Sequence, residues 1–209
     1  MDIAKFRKKP LLGIMRGIKP DVIEPLAEAV ISGGLETVEI TMNTDNAPAL
    51  IRSMVKAGRG RLTIGAGTVL TMNELESALD AGATFIVMPA LIRDVIDTCV
   101  KQKIPVFPGA LTPHEVFEAA QAGAAMVKIF PAKFFGPEYF RELKGPFNKI
   151  ELLACAGVTP ENMKDYFASG ASAVSFGASV FRKEWLDSKD FKSITSRVSD
   201  YVRQLPRQG

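Results

Sequence analysis

A chain of 209 residues with 47% hydrophobic and 23% charged side chains has enough apolar material for one substantial core, which excludes a disordered polymer. Its 26 basic and 23 acidic residues leave a net charge of +3 with no block of like charge, which argues against nucleic acid and anionic membrane as partners. The single histidine, His114, excludes a multi-histidine metal site and leaves little room for a Ser-His-Asp arrangement.

A basic, amphipathic leader covers residues 2–9 and lacks the basic-then-apolar build of a signal peptide. The first buried strand is predicted at 11–18, and Pro20-Asp21 opens a helix through Val30 that stops at Gly33-Gly34. The second strand spans 37–42, then Asn43-Thr44-Asp45 caps a helix at 47–57. Strand three covers 62–69 and Thr71 caps a helix to Ala81-Gly82; strand four covers 84–89, with a helix at 92–101. Strand five is 105–109, and Thr112-Pro113 starts a helix ending at Ala122-Gly123. Strand six is 126–132, followed by a Phe-, Gly- and Pro-rich connection with one helix over 134–147. Strand seven is 149–155, Thr159-Pro160-Glu161-Asn162 starts a helix with proline at its first position, strand eight is 173–177 and a last helix covers 191–204.

Short apolar strands alternating with helices are the signal of consecutive βα units. The junctions repeat a phrase, as in Asp80-Ala81-Gly82-Ala83 and Gln121-Ala122-Gly123-Ala124, each a glycine helix stop leading into a strand. Eight such units in ~200 residues favour a compact α/β fold, a single (β/α)8 barrel, over a doubly wound sheet. No linker or change in composition divides the chain, so residues 1–209 read as one barrel domain with a short N-terminal leader helix. No apolar run reaches the ~18 residues of a membrane helix. Cys99 and Cys155 form no disulfide framework and suit a reducing compartment, so a cytoplasmic protein is expected.

In such a barrel the active site lies at the C-terminal ends of the strands, and the polar residues predicted there form a set. Arg16 ends strand one, Glu39 and Thr41 share a face of strand two, and Thr68 ends strand three. Lys128 shares a face of strand six with Phe130, and glycine-bearing turns follow strands seven and eight. A lysine in an apolar run is ordinarily the solvent side of an edge strand. An inward lysine and glutamate from different strands would be a costly pair to bury for stability alone, but they suit imine chemistry, in which the amine holds a carbonyl and the carboxylate moves protons.

The residues resemble the class I 2-keto-3-deoxy-6-phosphogluconate aldolases and their 4-hydroxy-2-oxoglutarate-cleaving relatives. The resemblance is carried by Val38-Glu39-Ile40-Thr41, Ile64-Gly65-Ala66-Gly67-Thr68-Val69, Val87-Met88-Pro89, Phe107-Pro108-Gly109, Val127-Lys128-Ile129-Phe130-Pro131-Ala132 and Gly177-Ala178-Ser179. It implies a TIM barrel, usually a homotrimer, that cleaves a 2-keto-3-deoxy sugar acid reversibly to pyruvate and an aldehyde without metal or cofactor. By the same resemblance Lys128 would form the imine, Glu39 would shuttle protons and Thr68 would hold the keto acid's carboxylate. Pro89 and Phe130 would wall the pocket, while Gly157, Gly177 and Ser179 would hold a terminal phosphate through backbone N–H groups and a hydroxyl.

Two positions depart from the family. Asn43 stands where many members carry a carboxylate-gripping arginine after strand two, and Arg16 fits a subset, the 2-keto-3-deoxy-6-phosphogalactonate aldolases among them, with an arginine ending strand one. After strand seven this chain reads Cys155-Ala156-Gly157 where relatives carry a threonine and paired glycines, which weakens the expected phosphate cradle and favours an unphosphorylated or differently shaped aldehyde. Two other readings use the same residues: a phosphosugar epimerase or isomerase barrel without an imine, and a catalytically silent sugar-acid-binding barrel.

Overall fold

The computed structural model describes residues 1–206; Arg207 to Gly209, the end of the predicted domain span, lie outside the described residues. Nine parallel strand segments form one sheet: β1 (Leu11–Met15), β2 (Thr37–Thr41), β3 (Thr63–Gly67), β4 (Ile86–Val87), β5 (Val106–Phe107), β6 (Gly109–Ala110), β7 (Val127–Ile129), β8 (Leu152–Cys155) and β9 (Ala173–Phe176). Their order is β5-β4-β3-β2-β1-β9-β8-β7-β6. The two ends of that order are halves of the predicted fifth strand. Pro108, with no N–H to give, separates them, and its carbonyl still accepts from Lys128 N–H at 2.8 Å. β5 pairs with β4 and β6 with β7, so the ladder comes round on itself as a single (β/α)8 TIM barrel.

Around it lie α1 (Ile3–Lys8), α2 (Ile23–Ser32), α3 (Ala47–Gly58), α4 (Met72–Asp80), α5 (Arg93–Lys101), α6 (Pro113–Gln121), α7 (Gly136–Lys144), α8 (Met163–Ala168), α9 (Lys183–Asp187) and α10 (Phe191–Arg203). The clearest helix starts are chemical: Thr71 with Glu74, and Thr112 with Glu115, each form a reciprocal capping box that satisfies otherwise orphaned N–H groups. Two predicted starts are corrected, the first being α2, which begins at Ile23 after a 3-10 turn over Pro20–Val22. α8 begins at Met163 rather than at Thr159-Pro160, because the Asn162 side chain accepts from Thr159 N–H (2.8 Å) and donates to the Gly157 carbonyl (2.9 Å). Those bonds hold the stretch as a turn. Strand seven is shorter than predicted at its start, since Lys144 Nζ donates to the Asn148 and Ile150 carbonyls (3.0 and 2.8 Å) and fixes that approach as a loop.

Alternation along the strands divides the apolar residues into two shells. Leu11, Met15, Val38, Ile40, Ile64, Ala66, Val127, Ile129 and Val174 pack outward against the helices. Leu12, Phe85, Val87, Phe107, Met126, Leu153 and Ala173 fill the bore, joined by Phe6 from α1. The Phe6 and Phe107 ring centroids are 6.0 Å apart, so the leader helix stops the bottom of the barrel. A Cβ on Gly65 would overlap the Phe85 ring; glycine there makes room for the bore's aromatic filling. No helix among the described residues is long and apolar enough to cross a membrane.

Candidate active site

Above that filling, at the C-terminal ends of the strands, a cavity of about 910 Å³ opens. Arg16, Glu39, Thr68, Pro89, Lys128, Phe130, Gly157, Gly177 and Ser179 line it, whereas Thr41, predicted on the same face as Glu39, does not. His114, in contrast, lies on the outer face of α6, exposed and 3.7 Å from Glu118.

Glu39 sits mid-strand on β2, flanked in register by Ile14 on β1 and Gly65 on β3. It is 1% exposed. A Cβ on Gly67 would overlap its carboxyl group, so the glycines of β3 clear the volume that the carboxylate occupies. Its Oε2 is buried without a hydrogen-bond partner among the described residues. Burial drives the Glu39 pKa up from 4.5 to about 7, against the opposing pull of the positive charges of Lys128 and Arg16. A carboxyl group poised there exchanges protons near neutrality.

Lys128 is 6% exposed and lies on β7 between Gly109 of β6 and Leu153 of β8. Its ammonium is 4.9 Å from the Phe130 ring centroid, a placement in which the ring's negative face favours a cation. A Cβ on Gly109 would overlap the backbone of Pro89 and Ala90, so that glycine lets the turn after β4 close in as a wall beside the amine.

Thr68 follows β3 with φ +56°. A β-branched residue there is strained by roughly 1–3 kcal/mol, and the turn it makes carries Thr68 into the cavity lining. Arg16 follows β1 on a turn tied to the end of β2: Gly17 N–H donates to Thr44 Oγ1 at 3.0 Å, and Thr44 Oγ1 pairs with Thr41 Oγ1 at 3.0 Å. Arg16 therefore reaches the cavity from a braced turn, while Asn43 is exposed and outside its lining.

At the far end, Ala156 and Gly157 have φ values of +76° and +85°, so the turn after β8 keeps consecutive left-handed residues despite the alanine. The strain falls on Ala156 without removing the conformation. The Ser179 hydroxyl lies 2.8 Å from that of Tyr201, which donates to the Val158 carbonyl at 2.7 Å. A phenol has one proton, so Ser179 gives its own to Tyr201 and turns only lone pairs to the cavity. The hydroxyl proton expected there is already engaged.

Lys133, Arg182 and Lys183 also line this end, and the motifs did not single them out. Lys133 lies on the turn Ala132–Phe134 with its Cβ where a Cβ of Gly157 would fall, and Arg182 stacks 4.6 Å over the Trp185 ring. The signal was the Arg182-Lys183 pair shortly after strand eight and a basic residue just past Pro131; their direction was not readable from a loop. Cys155 lines the cavity too, while Cys99 is buried in the outer shell, its thiol pKa pushed up to about 11 by desolvation.

Comparison with known proteins adds an independent line. A family model described as "Aldolase: KDPG and KHG aldolase" matches residues 3–197. The chain is 37% identical over 176 residues to a 2-dehydro-3-deoxy-6-phosphogalactonate aldolase of Escherichia coli, covering 84% of this chain and 86% of that one. It is 29% identical over 201 residues to a 2-dehydro-3-deoxy-phosphogluconate aldolase of Haemophilus influenzae, covering 96% and 94%. Among solved structures, one described as "Native KDPGal structure" superposes with a TM-score of 0.87 at 33% identity, covering 93% of each chain. These relatives are carbon–carbon lyases, not the epimerases or isomerases weighed as an alternative.

Proposed function

The chain belongs to the KDPG and KHG aldolase family, and from that premise we propose that Lys128 is the amine and Glu39 the proton carrier of its reaction. Aldolases of this family cleave a 2-keto-3-deoxy sugar acid to pyruvate and an aldehyde through a Schiff base. The observation that carries the assignment is the burial, in one cavity, of an amine and a carboxyl group from β7 and β2.

In the proposed sequence the Lys128 amine adds to the C2 carbonyl, and loss of water leaves a cationic imine. Phe130, already facing the amine, stabilises that cation as well. Glu39 then takes the C4 hydroxyl proton, the C3–C4 bond breaks, and its electrons pass into the imine to leave an enamine. The aldehyde departs, C3 regains a proton, and water releases pyruvate from Lys128. Thr68 and Arg16 hold the keto acid's carboxylate, Arg16 supplying the charge that Asn43 cannot. Borohydride added with pyruvate is expected to fix a stable mass adduct on Lys128. A folded protein that gives no adduct sinks the reading.

For the remote end we propose a terminal anion such as a 6-phosphate. Lys133 and Arg182 line the same cavity as residues 156–157 and 177–179, and the Escherichia coli relative is named for a phosphorylated substrate. We also propose a single domain and a homotrimer. The support for assembly is a set of exposed aromatic side chains: Phe134 is 70%, Phe135 55% and Phe117 47% exposed. Light scattering that gave a monomer mass would remove the assembly proposal alone. Cytoplasmic residence rests on two free buried cysteines.

A further inference from the structure

The two turns at the far end of the cavity are joined by a residue that does not line it. Tyr201 lies on α10, fully buried outside the strand wall. Its hydroxyl donates to the carbonyl of Val158, in the turn after β8, and accepts from Ser179, in the turn after β9. Its ring stacks on Phe176 at 3.9 Å with 21° between planes, so the phenol is held against the last residue of β9. Arg197, one helical turn earlier, lies 5.9 Å from the same ring and forms a two-pronged pair with Glu161 at 2.9 and 3.3 Å. The turn after β8 is thus tied to α10 by a neutral bond and by an ion pair. Only the neutral bond reaches on to the turn after β9.

We infer that Tyr201 is a positioning residue: its hydroxyl sets the spacing between the turns after β8 and β9, and so the grip on the end of the substrate remote from Lys128. The inference rests on the aldolase reading and adds to it a residue that never touches substrate. A hydrogen bond that anchors a backbone carbonyl fixes the loop whatever side chain stands at that position, so the removable partner is the phenol. The pyruvate end is carried on β2, β3 and β7 and on the turn after β1, none of which Tyr201 contacts through either hydrogen bond. Losing its hydroxyl should therefore divide the kinetic parameters rather than depress them all.

The test is Tyr201→Phe, which keeps the stack on Phe176 and deletes both bonds. The KM for a full-length 2-keto-3-deoxy-6-phospho sugar acid is expected to rise about tenfold, the order set by two lost net hydrogen bonds. The kcat and the rate of borohydride trapping of pyruvate at Lys128 should stay within about twofold, the scale of surface-neutral changes. An unchanged or lower KM, or a parallel fall in trapping, overturns the inference; the latter marks a merely structural residue. Ser179→Ala supplies the second arm. If it alone gave the full rise in KM while Tyr201→Phe gave none, the Ser179 hydroxyl would be a direct ligand and the positioning role would be lost. Failure of trapping in the unaltered protein is a different result, and it removes the aldolase assignment itself.

Discussion

The two ends of the cavity are built in different ways. At the amine end, Glu39 and Lys128 stand on β-strands and are nearly inaccessible to water; Gly67 clears space for the Glu39 carboxyl group, and Gly109 lets the Pro89-Ala90 backbone close in beside the amine. At the far end the same cavity is lined by turns and by side chains on short helices, with Ala156 and Gly157 in left-handed conformations and Lys133, Arg182 and Lys183 at the rim. Strand-borne groups are held by the ladder hydrogen bonds of the sheet, whereas loop-borne groups owe their positions to ties such as those of Asn162 and Tyr201. The proposed chemistry thus falls on strands and the proposed recognition on turns, which tolerate change more readily.

The sharpest way to break that division is at Lys128. Lys128→Ala is expected to abolish both turnover and borohydride trapping, and Lys128→Arg should not restore either, because a guanidinium stays protonated and cannot form the imine. Mass spectrometry after reduction with pyruvate reads both variants. Next comes Glu39→Gln, for which steady-state assays should show a fall of ~10²–10⁴-fold in kcat. The unaltered protein's rate should climb with pH through about 7, as Glu39 becomes able to accept a proton, and the variant should lose that limb.

The same substitution tests what burying the carboxyl group costs. Glu39 titrates at 4.5 in the unfolded chain and at about 7 when folded. Between those values the folded state holds more protons, so stability falls as pH rises. The penalty is fully present above about 7 and absent below 4.5. Thermal unfolding of Glu39→Gln should therefore show a gain of about 1–3 kcal/mol at alkaline pH that vanishes under acid conditions. A gain independent of pH would mean that packing, not charge, is responsible.

The smallest effect belongs to the rim. Lys133→Ala and Arg182→Ala should each raise KM for a phosphorylated substrate by about three- to tenfold at low salt, with the difference shrinking as ionic strength screens exposed charges. Unphosphorylated substrate should be indifferent to both. Equal effects on the two substrates would show the rim to be holding shape rather than charge.

Much of the amine end was legible in the sequence, because period two is a rigid rule: Glu39 opposite Val38 and Ile40, and Lys128 opposite Val127 and Ile129, fixed which side chains enter the bore. The βα rhythm and its glycine stops carried the fold for the same reason. What was not legible depended on tertiary closure. Pro108 divides the fifth strand between two neighbours, and Phe6 reaches the bore only because the leader helix docks beneath the strands. The start of α8 shifted because Asn162 has two backbone partners that only the folded turn presents. The Ser179 hydroxyl was engaged by Tyr201, twenty-two residues away, a distance no motif spans.

Phe6 and the residues packed with it have a kinetic consequence. With the bore filled below Lys128 by Phe6, Phe85 and Phe107, the cavity communicates with water at the strand ends, where Arg182 and Lys133 stand. In the proposed imine at Lys128, the aldehyde-forming half of the substrate is then expected to lie between the imine and the exit. The fragments are expected to leave in file, the aldehyde ahead of the keto acid. In the reverse direction pyruvate is expected to enter first. Product-inhibition patterns, with pyruvate competitive against the cleavable acid and the aldehyde not, would record that order.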